Sequence, residues 1–419
     1  MSAPRRILYV QHTADLYGAS RALLHLVEAL DRERYAPLVA LPADGPLVGE
    51  LRALGVEPLI APYLQTLWGQ VVRSWRVVPF GLGLLPSALA TRRLIRRQQA
   101  DLVHSNVWTI LSGALGARLA GAPHVWHVRE ILPHSGGLKP ALVALSLRTA
   151  DRLICVSESV AAQFAGRRGA ERVRVVYDGL PLEVGRGMRG LGSGARGLGL
   201  VSGDEAGQQA PSPKPQATGV WQAPSPEPQV PGDNELRIGV VGRLHPQKGQ
   251  ADLLRAFALL DPGLRSASRV LLAGGASPGH ERQAEELAAL ARDLGIAERV
   301  SLLGFVADTR DLIASLDLLV LPATRAEGLG GVLLEAMAAR VPVLSTRAGG
   351  TAEVVDDEET GLLVPPQQPA ALARALARLL GDPQLRRRLG AAGRRAVEQR
   401  FGADSMARQV ERIYAELLG

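Results

Sequence analysis

The strongest constraint on this chain is a repeated alternation, in which short apolar runs are each followed by a segment with helical periodicity. The first series reads RILYV, PLVAL, PLIAP, DLVHS, HVWHV, RLICV and RVVY. The second reads LRIGVVGRL, RVLLAGG, RVSLLGF, LDLLVLPA, VPVLSTRA and GLLVP. Strands that alternate with helices imply βαβ units and a parallel sheet. Two such series predict an α/β protein of two Rossmann-like, doubly wound domains, facing each other across a cleft at their strand C-termini. Between the series, residues 185–234 are rich first in Gly and then in Pro, Gln and Ser. That composition reads as a flexible linker or insertion at a domain boundary. The expected organisation is an N-terminal domain over 1–184, the insertion over 185–234 and a C-terminal domain over 235–400. A helical segment over 401–419 follows, for which packing back on the N-terminal domain is one arrangement.

At 419 residues each domain is large enough to bury its own core. The 47% hydrophobic and 21% charged content is that of an ordinary soluble protein. MSAPRRILYV enters a strand-like run without an apolar leader, and no stretch approaches the ~20 apolar residues of a membrane span. Cys155 is the single cysteine, which excludes an internal disulfide and fits a reducing compartment. A cytoplasmic location is expected.

Charge is uneven along the chain. The net +7 lies in the N-terminal half, since the remainder balances. Arg73 and Arg76, then Arg92, Arg93, Arg96 and Arg97 on a helical pattern, supply much of it. Such a run is either a solvated helix face or, beside the apolar WRVVPFGLGLLP, a surface for anionic lipid. A peripheral place at the inner face of the plasma membrane is one expectation. With few aromatics for base stacking and no recognised module, nucleic acid is not expected as a partner.

The stretch PATRAEGLGGVLLEAMAARVPVLSTRAGGTAEVV, residues 322–355, carries the densest chemistry. A strand-like run precedes it, and helical periodicity begins near Gly330. Glu327 lies in the glycine-rich loop and Glu335 inside the helix, with seven residues between them. In open α/β sheets this is where ligands bind, and a free helix N-terminus favours an anion. The arrangement suits a ligand with hydroxyls at both ends and phosphates in the middle, such as a nucleotide-sugar. Acids near a helix start also complement the helix dipole without any ligand. Three glycines, Gly328, Gly330 and Gly331, argue against a plain helix start and for close approach by something outside the chain.

After the first strand of the second series, the turn Gly242-Arg243-Leu244-His245-Pro246-Gln247-Lys248-Gly249 places two cations before a helix, a phosphate-holding arrangement. The chain has three lysines (Lys139, Lys214, Lys248) against 45 arginines, so Lys248 stands out as a compact charge. A matching turn in the first half, residues 13–21, contains Gly18 and Ala19. His127 stands one residue before the end of the run HVWHV, at the strand's C-terminal edge, where it either faces the cleft or caps the strand. His104 is a weaker candidate. No Asp-x-Asp stands beside a suitable strand end, and no His/Cys cluster has metal spacing. A departing diphosphate would then be neutralised by side-chain cations and helix dipoles.

These residues together resemble the retaining glycosyltransferases of sequence family 4, which have the GT-B fold. AEGLGGVLLEAMA followed by PV and GG-x-x-EVV carries most of the likeness. The GRL-x-x-x-KG turn, SLLGFV with Asp308, TGLLVPP and VSES support it. The resemblance implies metal-independent, front-side sugar transfer from a nucleotide-diphosphate-sugar to a glycan or lipid-linked acceptor, as in cell-envelope polysaccharide synthesis. It needs no cofactor beyond that co-substrate. Glu327 would contact the sugar hydroxyls, Glu335 the ribose, and Arg243 with Lys248 the diphosphate. The backbone at Gly18–Ala19 and at Gly328, Leu329, Gly330 and Gly331 would cradle sugar and phosphate. Phe305 and Val306 would meet the base, and His127 the transferred sugar. Leu329 and Asp178 depart from the family, where an aromatic residue and Asn are frequent. An epimerase of the same fold and a non-catalytic nucleotide-sugar binder are the alternatives.

Overall fold

A computed structural model of the chain describes residues 3–65, 77–132, 138–182, 235–277, 279–306 and 308–419, and the statements below concern these. Thirteen strands form two parallel sheets. The first contains β1 (Arg5–Val10), β2 (Tyr35–Leu41), β3 (Leu59–Ile60), β4 (Leu102–Ser105), β5 (His124–Val128), β6 (Arg152–Cys155) and β7 (Val173–Val175), in the order β3-β2-β1-β4-β5-β6-β7. The second contains β8 (Leu236–Val241), β9 (Ser268–Ala273), β10 (Val300–Gly304), β11 (Leu318–Leu321), β12 (Val343–Thr346) and β13 (Leu362–Val364), in the order β10-β9-β8-β11-β12-β13.

Helices cover both faces, so β11 and β12 are buried at every position and their sequences need no alternation. The strand order reverses beside β1, which pairs with both β2 and β4, and beside β8, which pairs with both β9 and β11. Each reversal opens a crevice at the strand C-termini. The two-sheet expectation holds, with edges adjusted by proline: PLIAP yields a two-residue strand, and β12 starts only after Pro342.

The 185–234 expectation falls outside the described residues. Chain continuity between the halves is visible at the other crossing. Leu180 N donates to Phe401 O at 2.9 Å, and Ala403 N donates to Leu180 O at 2.8 Å. From there the terminal helix Ala403–Leu418 packs into the core of the first sheet. Met406, Val410, Ile413 and Tyr414 are buried there among Leu23, Leu26 and Tyr35. Glu411 caps the contact by accepting from Asp31 N at 2.8 Å. Among the described residues no helix is long and apolar enough to cross a membrane.

Because Ile413 fills the N-terminal core from the far end of the chain, Ile413→Ala should cost about 2–5 kcal/mol. Urea denaturation followed by circular dichroism would read this as a lower midpoint.

Candidate active site

Each sheet delivers a loop from its reversal point. In the first, β1 leads through residues 11–17 into the helix Gly18–Ala29. Buried polar groups hold that loop: Gln11 Nε2 donates to Ser20 Oγ at 2.8 Å, and Asn106 Nδ2 donates to Gln11 Oε1 at 2.9 Å. Asp15 Oδ1 accepts from Tyr17 N and Ser20 Oγ, each at 3.1 Å. The helix start has no side-chain cap, and Gly18 has open space around it. Its first N–H groups are therefore available to a ligand.

In the second sheet, β8 leads to Arg243 and the 3-10 turn Pro246–Lys248, where His245 Nδ1 accepts from Gln247 N at 3.0 Å. Gly249 adopts φ +70°, and a Cβ there would lie 1.8 Å from Pro322 O. The turn is thus pressed against the end of β11, which places Lys248 opposite the loop that follows β11. Lys248 Nζ donates to both carboxylate oxygens of Glu327 at 2.9 Å. Glu327 side-chain exposure is only 15%, so water screens this pair little.

The two halves meet through charged and aromatic side chains. Arg243 lies 4.3 Å from the Tyr17 ring centre and 3.8 Å from the Asp15 carboxylate. Tyr17 in turn packs edge-on against Phe305, with ring centres 5.6 Å apart. Arg21 Nη1 donates to Thr309 Oγ1 at 2.9 Å and lies 3.5 Å from Glu335. Surrounding protein raises the Glu335 pKa, an effect that Arg21 opposes. Ser157 Oγ donates to Gly328 O at 2.6 Å. Glu353 accepts from Glu158 N at 2.7 Å and Ser159 N at 2.8 Å, so a carboxylate of one half caps a helix of the other.

His127, the penultimate residue of β5, is fully buried. Its Nδ1 lies 3.2 Å from His104 Nε2 and 3.3 Å from Arg129 Nη2, while its Nε2 has no partner. Burial, then Arg129 and His104, hold its pKa well below the ordinary value, so the ring is neutral. Arg129 is itself fixed by Asp178, which receives its Nη1, and by Asn106 Oδ1 at 3.0 Å.

The structure therefore brings Glu327 together with Lys248, Arg243 with the N-terminal loop, and Glu335 with Arg21. Two expectations need correction. Gly328 is close to the chain's own backbone, since a Cβ would meet Arg129 O at 2.0 Å; domain packing already requires glycine there. Gly330 serves as the helix N-cap at φ +88°. Only Gly331 of the three stands in open space. Leu329 is buried in the hydrophobic core, so its side chain does not shape a sugar pocket and only its backbone is available. Sequence reading passed over Asp15, Tyr17, Arg21, Arg129 and Thr309. Asp15, Tyr17, Arg21 and Thr309 make contacts across the two halves, whereas Arg129 is held within the N-terminal half by Asp178 and Asn106.

On the helix Val77–Gln98, Leu82 and Leu85 are 75% and 63% exposed. Arg93, Arg96 and Arg97 are exposed further along the same face, with Arg92 half-buried. Arg73 and Arg76 lie outside the described residues.

Fold and site define a two-sheet α/β protein whose cleft gathers anion-binding groups at both strand-order reversals. Residues 17–184 match the family described as Glycosyltransferase Family 4, and residues 224–396 match Glycosyl transferases group 1. A D-inositol 3-phosphate glycosyltransferase of Actinosynnema mirum is 32% identical over 349 residues, 75% of this chain and 75% of that protein. A 2-deoxystreptamine N-acetyl-D-glucosaminyltransferase of Streptomyces fradiae is 29% identical, covering 76% of this chain and 72% of the relative. Among solved structures, Anabaena HepE in complex with UDP and glucose superposes with TM-score 0.75 at 23% identity, covering 99% and 100% of the two chains. Sucrose-phosphate synthase from Thermosynechococcus elongatus gives TM-score 0.70 at 22% identity, covering 99% of each. The chain belongs to the glycosyltransferases of the GT-B fold.

Gly249→Ala should destabilise the protein by more than about 1 kcal/mol, since Ala strains at positive φ and its Cβ strikes the Pro322 carbonyl. Gly18→Ala, in open space, should leave the fold unchanged. Paired thermal melts would separate the two.

Proposed function

We propose that this glycosyltransferase is a retaining enzyme of sequence family 4. It would transfer a sugar from a nucleotide-diphosphate donor to a glycan or lipid-linked acceptor without a metal. The observation that carries this reading is the Lys248–Glu327 pair beside Arg243, set at a strand-order reversal under an uncapped helix N-terminus. The donor lies along the C-terminal domain. Its diphosphate is held by Arg243, Lys248 and the N–H groups at Gly331 and Gly18, whose helix dipoles favour the charge that grows as the glycosidic bond breaks. Glu327 accepts from the sugar hydroxyls and Glu335 from the ribose, while Phe305 and Val306 flank the base.

In the front-side step the bond from the anomeric carbon to the phosphate oxygen breaks. A bond from that carbon to the acceptor oxygen forms on the same face. The acceptor proton passes to the departing phosphate, so no protein nucleophile is required. Support comes from the UDP and glucose named in the HepE structure. The names of two relatives, a D-inositol 3-phosphate glycosyltransferase and a 2-deoxystreptamine N-acetyl-D-glucosaminyltransferase, agree with sugar transfer as the reaction.

Lys248→Ala should lower turnover by ~10²-fold or more, the scale of losing one preorganised transition-state charge. Diphosphate release from a nucleotide-sugar, chosen by thermal-shift screening, is the assay. Near-normal turnover would remove Lys248 from the chemistry.

The exposed leucines and arginines of Val77–Gln98 support an acceptor presented at an anionic membrane surface, the apolar half entering the interface and the cationic half meeting headgroups. Replacing Arg93, Arg96 and Arg97 with Gln should weaken co-sedimentation with vesicles containing phosphatidylglycerol. Unchanged sedimentation would leave these arginines as a solvated face.

A further inference from the structure

The VSES segment, residues 156–159, follows β6 in the N-terminal half and grips the other half at two points. Ser157 is fully buried and caps the helical turn Glu158–Ala161. Its Oγ accepts from Val160 N at 3.1 Å and donates to Gly328 O at 2.6 Å. A backbone N–H can only donate, so the single hydroxyl proton is committed to the Gly328 carbonyl. At the second point, Glu158 N and Ser159 N donate to the Glu353 carboxylate at 2.7 and 2.8 Å. Tyr177 OH donates to the same carboxylate at 3.1 Å.

Both gripped points belong to one backbone unit. Glu327 N donates to Ala348 O at 3.0 Å, Gly350 N to Glu327 O at 2.9 Å, and Glu353 N to Gly350 O at 3.0 Å. A Cβ on Gly350 would lie 2.1 Å from Gly328 O, so this segment sits directly against the glycine-rich loop. Lys248 holds the Glu327 carboxylate but comes from the same half, so it cannot set the distance from Glu327 to the N-terminal wall. The Ser157 hydrogen bond, one residue away from Glu327, can. Capping alone does not demand a hydroxyl. Asp would cap the turn as well, but its carboxylate would face the Gly328 carbonyl without a proton to share.

We propose that Ser157 is a positioning residue, whose hydroxyl holds Glu327 in register with the N-terminal half through the Gly328 carbonyl. The proposal rests on the glycosyl-transfer reading for what Glu327 does, which is to accept from the donor sugar while the acceptor is held by the N-terminal half. Glu353 is the second grip on the same unit.

Ser157→Gly tests this, because glycine is a tolerated N-cap and the change removes the hydroxyl with little loss of capping. Hydrogen exchange followed by mass spectrometry on the full chain reads the loop directly. Amides of residues 327–331 should exchange about 10-fold faster or more in Ser157→Gly, the scale of one lost hydrogen bond. In the diphosphate-release assay kcat should fall about 10-fold with donor KM within about twofold, since the diphosphate and ribose contacts are untouched. Ser157→Thr, which keeps a hydroxyl, should restore most of both. Should Ser157→Gly fail to fold, Glu353→Gln serves: its amide oxygen can replace only part of the carboxylate's bonding, and the same amides should exchange faster with the same loss confined to kcat. Unchanged exchange over 327–331 overturns the proposal. So does faster exchange with unchanged kcat, a loss expressed in KM alone, or a Ser157→Thr variant as impaired as Ser157→Gly. The exchange measurement needs no substrate, so a protein that turns over no nucleotide-sugar would defeat the functional reading while the hold on the loop is decided separately.

Discussion

Arg129 is the charge on which the cleft depends. It sits almost wholly buried at the end of β5, where an unpaired guanidinium would carry a large desolvation penalty. Asp178 supplies the countercharge and Asn106 the remaining hydrogen bonds. Asn106 is also the residue that ties down Gln11 and, through it, the loop that leads to Gly18. The backbone carbonyl of Arg129 touches Gly328 of the other half. One ion pair thus fixes the floor of the N-terminal crevice, orients His127 and sets how near the glycine-rich loop can come. Asp178 gives this buried arginine the countercharge it needs.

Around that floor the cleft's charges are paired with one another across the two halves. Lys248 faces Glu327, Arg243 faces Asp15 and Tyr17, and Arg21 faces Glu335. Each contact satisfies a group that a bound nucleotide-sugar would claim. On the proposed reading, ligand entry is an exchange of partners: phosphate oxygens would replace Asp15 at Arg243, and ribose hydroxyls would replace Arg21 at Glu335. Exchange spares Arg243 and Glu335 an unpaired state in low dielectric, and the displaced Asp15 keeps its hydrogen bonds from Tyr17 N and Ser20 Oγ. The N-terminal partners in these contacts, Asp15, Tyr17 and Arg21, all come from that sheet's first loop and helix.

All thirteen apolar runs became strands; central ones such as β11 and β12 carry a local record of continuous burial, while the edge strands β3, β7 and β10 are only partly covered. The glycine-rich loop, the two acids of the Glu–seven residues–Glu element and the phosphate-type turn were visible for a related reason: backbone conformation and helix starts constrain nearby residues. The rarity of lysine made Lys248 conspicuous before its contact with Glu327 was known. Illegible were the pairings between distant residues, such as Arg21 with Glu335 or Tyr414 with His104, which no local pattern encodes. Gly328 was misread for the same reason. Glycine signals close approach, but the sequence does not say whether a ligand or the chain's own carbonyl is approaching.

The terminal helix joins these two themes. It leaves the C-terminal sheet at Phe401, pairs with Leu180 at the crossing, and buries Met406, Val410, Ile413 and Tyr414 in the other half's core. A domain whose own core is completed by the end of the chain cannot settle fully until the second domain has been traversed. Tyr414 extends that dependence to the first sheet's buried histidines, because its hydroxyl reaches His104, which lies beside His127. Burial keeps His104 and His127 uncharged and Tyr414 protonated.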